Sequence, residues 1–562
     1  MSVEQLIGSI RDGVIGEGTA LQTPFGIRPL VYADYTASGR SLDFIEQYIH
    51  DQVLPWYANT HTETSVTGLQ TSRLREDARA LIKRSVQADE DDLVIFCGSG
   101  ATAAIHKLVD ILNLRLPADL DDRYRLMQQI PVNERPIVFI GPYEHHSNEL
   151  PWRESIADLV SIGLDESGDI DLVELEAELK RYKARPLKIG SFSAGSNVTG
   201  LLTDTDGISR LLHRYDALSC WDYAAAAPYV DINMKGTGAG LHKDALFISP
   251  HKFIGGPGTP GVLVVNKKLL SNRVPSVPGG GTVSWVSPAS HCYLQASERR
   301  EEGGTPAIVE SIRAGLVFQL KDAVGATTIE KMEHKWIRGA LARWESSPQI
   351  KVLGDLTKPR TSIVSLHIRS GGRVLHHGFV TALLNDLFGI QVRGGCSCAG
   401  PYGHELLDMD LPTSEAIEKS IAEGNNVLKP GWVRLNFNYF IGAETFEYLV
   451  RAIELVAEYG ERMLGHYLFD PTRGVWSYQG QAPEASVRLG DISYQGGSMS
   501  YKHAETPDLL PLSHYLQEGE RLMRACKRVS SDCGVVLSRE ADALRWFSLP
   551  SDEGSDSARK AG

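Results

Sequence analysis

The stretch Leu93-Val94-Ile95-Phe96-Cys97-Gly98-Ser99-Gly100-Ala101-Thr102, continued by Ala104, Ile105, Leu108 and Ile111, decides the fold class. Leu93 to Phe96 form an unbroken apolar run that reads as a buried strand, Gly98-Ser99-Gly100 as a turn, and the spaced apolar residues after Ala101 as one face of a helix. Further strands are expected at Ile137-Val138-Phe139-Ile140, Leu187-Lys188-Ile189, Leu218 to Trp221, Leu246-Phe247-Ile248 and Val262-Leu263-Val264-Val265, mostly separated by helical patterning. Continuous apolar strands alternating with amphipathic helices predict an α/β fold with a mostly parallel, doubly wound sheet covered by helices. Ligands of such sheets bind at the carboxyl ends of the strands, so the polar residues that directly follow these runs carry the functional information.

Working outward, the texture changes after about residue 325. Ile363, Val364, Leu366 and Ile368 suggest a strand, Phe379 to Leu387 a helix, and Phe446, Leu449, Val450, Ile453 and Val456 a later helix with one apolar face. The expected organisation is an N-terminal segment (1–30), a large domain (31–325), a smaller α+β domain (326–465) and a C-terminal extension (466–562). Ser551 to Gly562 is polar enough to be disordered. No internal repeat is visible.

With 562 residues, 42% of them apolar, the chain can bury a large core in more than one domain. The formal net charge of -13 disfavours nucleic acid and anionic membrane surfaces and leaves a small-molecule substrate. No apolar run approaches the roughly 18 residues that cross a bilayer, and Met1-Ser2-Val3-Glu4-Gln5 lacks secretory features, so a cytoplasmic location is expected. Seven scattered cysteines form no disulfide framework. Cys97 and Cys220 read as buried hydrophobes. Cys396 and Cys398 lie in a glycine-rich loop, Arg393-Gly394-Gly395-Cys396-Ser397-Cys398-Ala399-Gly400-Pro401. Without a second pair or histidines at ligand spacing they do not make a zinc site, and no metal is expected.

The chemistry begins at Ser249-Pro250-His251-Lys252, between an apolar strand and the loop Gly255-Gly256-Pro257-Gly258. A lysine there sits at the sheet edge, partly desolvated, with its pKa lowered toward the range in which an amine forms imines. Most lysines are solvated surface charges. What tips the balance is Asp222, at the end of Leu218-Ser219-Cys220-Trp221, because a carboxylate there can pair with a protonated pyridine nitrogen. The turn at Gly98-Ser99-Gly100-Ala101-Thr102 offers free N–H groups and a helix dipole to a phosphate. Tyr143-Glu144-His145-His146-Ser147-Asn148 supplies an imidazole that can lie over a flat ring.

These residues, with Pro151-Trp152, Ser196-Asn197-Val198-Thr199-Gly200 and Glu302-Gly303-Gly304-Thr305-Pro306, resemble the class V aminotransferases, fold type I pyridoxal-phosphate enzymes, over roughly residues 30 to 460. Within them they resemble the cysteine desulfurase and selenocysteine lyase group. The resemblance implies pyridoxal 5'-phosphate as cofactor, Lys252 as imine lysine and general base, Asp222 at the pyridine nitrogen, His145 stacked on the ring and Asn197 near its oxygen. It implies a phosphate site from Ala101, Thr102, Ser249 and His251, completed by Thr305 of a second subunit and hence a homodimer with shared active sites. Arg434 would receive the substrate carboxylate with Arg393 as a second arginine. The segment from Asn59 to Thr64, with His61, and the run Tyr32 to Thr36 depart from the family pattern and are expected to shape the substrate end differently. Cys398 matches the nucleophile that takes sulfur from cysteine as a persulfide, leaving alanine, and a sulfur-acceptor protein would follow. Cys396 falls where relatives tend to carry a histidine. It reads as a small residue tolerated in a loop, with a sulfur-accepting or disulfide-forming thiol as the alternative. Ala225 stands where desulfurases carry glutamine or histidine, removing one donor to the ring oxygen. The competing expectations are a lyase, epimerase or aminotransferase acting on another amino acid, with Cys398 incidental, and a non-catalytic fold relative.

Overall fold

The computed structural model describes residues 2–60, 62–481, 487–502 and 507–554. Its centre is a seven-stranded sheet built from β1 (Asp92–Cys97), β2 (Ile137–Ile140), β3 (Asp158–Ser161), β4 (Lys188–Ser193), β5 (Leu218–Asp222), β6 (Ala245–Ile248) and β7 (Gly261–Asn266), in the order β1-β7-β6-β5-β4-β2-β3. Strands β2 to β6 pair in parallel, and β7 runs antiparallel between β6 and β1. The expected α/β sheet is therefore present. The long apolar runs form its fully buried strands, because helices cover both faces and leave no solvated side that would demand alternation.

Only β3, at the sheet edge, was not expected. Its four residues are all at least partly exposed, so Asp158-Leu159-Val160-Ser161 lacks the continuous apolar signature. The helix after β1 spans Gly100–Ile111, as its periodicity indicates. Helices Val66–Ser85 and Ile308–Val324 pack closely, and a Cβ on Gly315 would lie 2.5 Å from that of Ala78, so only glycine permits their approach.

A second, antiparallel sheet holds β8 (Ile350–Val352), β9 (Ile363–Ser370), β10 (Arg393–Gly395) and β11 (Trp432–Asn436), in the order β8-β9-β11-β10. Helices His377–Phe388 and Ala443–Tyr459 contribute its apolar cover. The first thirty residues are attached to this unit, since Thr23 Oγ1 and Arg28 Nε donate to the carbonyls of Asp386 and Leu387 at 2.7 and 2.8 Å.

Past His466 the chain adds the hairpin Tyr467–Asp470/Val475–Tyr478 and helix Leu512–Ala525. The helix buries Tyr515, Gly519 and Met523, four residues apart, and a Cβ on Gly519 would meet the Phe388 ring at 2.4 Å. At the start of the polar tail, Asp552 accepts from both terminal nitrogens of Arg545 at 2.7 Å, and residues Pro550–Gly554 form a helical turn. The remainder of that polar tail, 555–562, lies outside the described residues. Among the described residues no helix is long and apolar enough to cross a membrane.

Candidate active site

At the carboxyl edge of the central sheet, the segments after β1, β2, β5 and β6 enclose a cavity of about 190 Å³ lined by Ala101, Thr102, His145, Asn197, Asp222, Ser249, His251, Lys252, Arg393 and Arg434. All ten were expected at the site. The eight from the central sheet converge because strands running in parallel deliver their carboxyl ends to one edge, and the second sheet brings Arg393 and Arg434 to it.

Asp222 ends β5, buried, and accepts one backbone bond, 2.8 Å from the N–H of Ala224. Burial raises its pKa, and the nearby Lys252 cation works in the opposite direction. A carboxylate with so few donors requires a cationic partner to stay ionised. Lys252 stands in a short helical turn, Pro250–Lys252, after β6. Burial pushes its amine down to about 8, Asp222 opposes that shift, and Arg434 and Arg393 reinforce it.

The turn after β1 faces this pair. Gly100 has φ +56, and a Cβ there would come within 2.9 Å of both Ser249 Oγ and His251 Cε1, so the glycine leaves a concave backbone surface. The N–H of Ala101 donates to Ser249 Oγ at 2.8 Å, and Thr102 Oγ1 lies 2.7 Å from Ser147 Oγ. His145 Nδ1 accepts the N–H of Ser147 at 3.1 Å. Burial, then Lys252, lowers its pKa to about 3, so the ring is neutral. Beneath it the buried Glu144 carboxylate accepts from Ser193 N, Ser193 Oγ and Asn148 Nδ2 at 2.9, 2.7 and 2.7 Å, fastening the loop to β4.

The two arginines come from the second sheet. Arg393 on β10 and Arg434 on β11 are directly opposite in register, a pairing of like charges that needs compensation. Asp34 supplies it: Oδ2 accepts from Arg393 Nε at 3.2 Å and Oδ1 from Arg434 Nη2 at 2.9 Å. Arg434 also donates to the Asn197 carbonyl at 3.1 Å, while its buried Nε has no hydrogen-bond partner among the described residues.

The cysteine loop closes over this edge. Asn197 Nδ2 donates to the Ser397 carbonyl at 2.8 Å, His146 N to the Cys398 carbonyl at 2.8 Å, and Trp432 Nε1 to Ser397 Oγ at 3.2 Å. Ser397 is buried and lines the cavity, whereas Cys396 and Cys398 are exposed at its rim. Burial lowers the Arg434 pKa, Asp34 opposes that shift most, and Cys398 opposes it slightly. Thr305 does not line the cavity of its own chain. It sits exposed, accepting from Asn59 Nδ2 at 3.1 Å, next to Glu302, which is clamped by Arg75 and Arg79 at 2.6 and 3.0 Å. His61 lies outside the described residues. Ala225 contributes only a methyl group to the wall.

The sequence reading placed Asp34 in a run that shapes the substrate end and did not foresee its bridge to both arginines. Ser147 and Ser397 were likewise quoted only as parts of motifs. The available signal for Asp34 was its position immediately beyond a short apolar segment, like that of Asp222.

The donor set fits pyridoxal phosphate. A concave N–H turn beside Ser249 suits a phosphate, a poorly solvated aspartate suits a pyridinium, and an amine of lowered pKa suits an aldehyde.

The family model described as "Aminotransferase class-V" matches residues 31–411. The chain is 29% identical over 377 residues to a protein of Halalkalibacterium halodurans named "Probable cysteine desulfurase", covering 66% of this chain and 85% of that one. It is 28% identical over 386 residues to a protein of the same name from Streptomyces coelicolor, covering 66% and 84%. In fold it resembles the apo structure of a cysteine desulfurase from Thermococcus onnurineus, with a TM-score of 0.61 and 23% identity over 76% of this chain and 95% of the other. With the family match spanning more than half its length, the chain belongs to the class V aminotransferases.

Proposed function

We propose that this protein is a pyridoxal-phosphate-dependent cysteine desulfurase, converting L-cysteine or a close relative to alanine and carrying the sulfur as a persulfide on Cys398. The observation that carries this reading is the docking of the Cys398 loop, through His146 and Asn197, onto the rim of the cavity that holds Lys252 and Asp222. The names of the relatives agree with it.

In this reading the backbone at Ala101 and Thr102, with Ser249 and His251, holds the phosphate, and Asp222 keeps a proton on the pyridine nitrogen. Pyridoxal phosphate supplies an aldehyde that joins the substrate amine and a ring that takes up electrons released at Cα. Arg434 and Arg393 receive the substrate carboxylate, which must share them with Asp34. Lys252, neutral above about pH 8, takes the Cα proton. His145, held neutral by burial, packs on the ring without competing for that proton. The Cys398 thiolate then attacks the substrate sulfur: a bond forms between the two sulfur atoms, the Cβ–S bond breaks, and alanine departs after protonation. Thr305, on an exposed loop, completes the phosphate site of a neighbouring subunit, making a homodimer the active species. A sulfur-acceptor protein receives the persulfide sulfur, and the acidic chain works without nucleic acid or membrane, in the cytoplasm.

The test is product analysis. Holoprotein given L-cysteine and a thiol reductant should release alanine and sulfide in equal amounts, and Cys398→Ser should release neither while still exchanging the Cα proton with solvent. Pyruvate, the D-amino acid or a keto acid as the product would instead identify a lyase, an epimerase or an aminotransferase.

A further inference from the structure

The loop that carries Cys398 holds a second thiol in an arrangement that the desulfurase reaction does not require. The N–H of Ala399 donates to the Cys396 carbonyl at 3.2 Å, closing a four-residue turn, and its two central residues, Ser397 and Cys398, have φ of +55 and +57. Left-handed backbone at both central positions is the mirror-image turn normally built from glycine and asparagine. Here two residues with side chains occupy it. The conformation is maintained from outside the turn, by Asn197 and Trp432 on Ser397 and by His146 on Cys398.

The result is a sorting of side chains. Ser397 is turned inward and buried, whereas Cys396 and Cys398 flank it on the solvent side, both exposed. Two residues apart, their Cα atoms are at most about 7 Å from each other, within or near the roughly 4.4–6.8 Å that a disulfide spans. The remaining cysteines offer no such partner: Cys97, Cys220 and Cys533 are buried, and Cys292 and Cys526 lie on other segments.

We propose that Cys396 is a resolving cysteine that discharges the Cys398 persulfide as sulfide, an inference that rests on the desulfurase reading above. The Cys396 thiolate attacks Sγ of Cys398, a Cys396–Cys398 bond forms, and the bond from Cys398 to the outer sulfur breaks. The outer sulfur leaves with the electron pair of that bond and takes up the proton Cys396 gave up, as hydrogen sulfide. The Cys396 sulfur is oxidised from thiol to disulfide level, the Cys398 sulfur keeps its level and the outer sulfur is reduced to sulfide, so the step balances without an added oxidant. A dithiol reductant reopens the disulfide before the next turnover. Thiolate attack on a disulfide-type sulfur with departure of the better leaving group is the ordinary course of thiol exchange. The enzyme thereby gains a route to free sulfide, beside transfer to an acceptor protein.

The experiment follows holoprotein given L-cysteine with no added thiol, then acid-quenched, alkylated and mapped by mass. Wild type is expected to form one equivalent each of alanine and sulfide and to yield the peptide containing both cysteines lighter by two hydrogens, restored by dithiol. Cys396→Ser and Cys396→Ala are expected to form the same alanine, retain sulfide, and hold the peptide heavier by one sulfur on Cys398. Cys292→Ser, in the separate hairpin Val283–Val286/His291–Tyr293, should behave as wild type. A wild-type peptide that keeps its extra sulfur on Cys398 as stably as the variants, or carries it on Cys396, would overturn the resolving role and leave the desulfurase reading intact. Absence of alanine and of added sulfur from wild type and both variants alike would remove the desulfurase reading and this inference with it.

Discussion

The cavity floor and the Cys398 turn are two reactive surfaces built in opposite ways. Asp222 ends a buried strand of one sheet, Ser249 and Lys252 follow another, and the chemistry of the charged pair is set by loss of water: burial lowers the lysine and raises the aspartate. The cysteine turn exposes both its thiols, contains consecutive left-handed residues, and keeps its shape through hydrogen bonds from three distant segments. In the proposed desulfurase, cofactor retention would depend on the sheet as a whole, and sulfur handling on a few local bonds. Damage to one should leave the other measurable.

The largest expected effect breaks the floor. Lys252→Ala removes the amine, and the visible absorption of the cofactor adduct and Cα proton exchange should fall by about 10³-fold or more, with circular dichroism unchanged. Cys398→Ser should show the reverse pattern, exchange retained and sulfur removal lost. Should Lys252→Ala keep normal exchange, the floor has been misassigned.

Next in size is the buried ion pair behind the floor. Glu302→Ala leaves the buried Arg75 without a carboxylate and Arg79 with only the exposed Glu76, and should cost about 3–5 kcal/mol in urea unfolding. The arginines hold the Glu302 pKa below its ordinary 4.5, so its contribution is present above that pH and is lost as the pH falls through the lowered value. An equal loss in a Ser397 variant would contradict the division drawn here.

Asp34→Asn sharpens the comparison where the two regions meet. It should free Arg434 and Arg393 for the substrate and lower KM for an anionic amino acid about tenfold, ~1.4 kcal/mol, with kcat changed less. An unchanged KM would show that Asp34 does not compete with substrate. A pH profile adds a second test. Because burial lowers the Lys252 amine to about 8, the rate at which cofactor-free protein forms its lysine adduct should rise with pH and level off above that value. The smallest effect is expected of Ser397→Gly. Relief of left-handed strain, about 1–2 kcal/mol, offsets the lost acceptor for Trp432, so the melting temperature should barely move while sulfur removal slows.

The runs that form β1, β2 and β5 to β7, the turn at Gly98-Ser99-Gly100 and the polar residues after these strands were all legible, because a buried strand announces itself through its own neighbours. Lys252 and Asp222 inherit that legibility. The edge strand Asp158–Ser161 was not legible, since it has no buried face to mark it. Nor was helix Leu512–Ala525, whose middle glycine has meaning only against Phe388, more than a hundred residues away. The bridge from Asp34 to Arg393 and Arg434 joins positions 359 and 400 residues apart, and the arginines face each other only once β10 and β11 pair. The amino-acid pattern settled the elements and the ends of the strands, because periodicity acts over a few residues. Packing alone settled which charges meet and on which side of its turn each cysteine lies, since those depend on contacts between segments far apart in the chain.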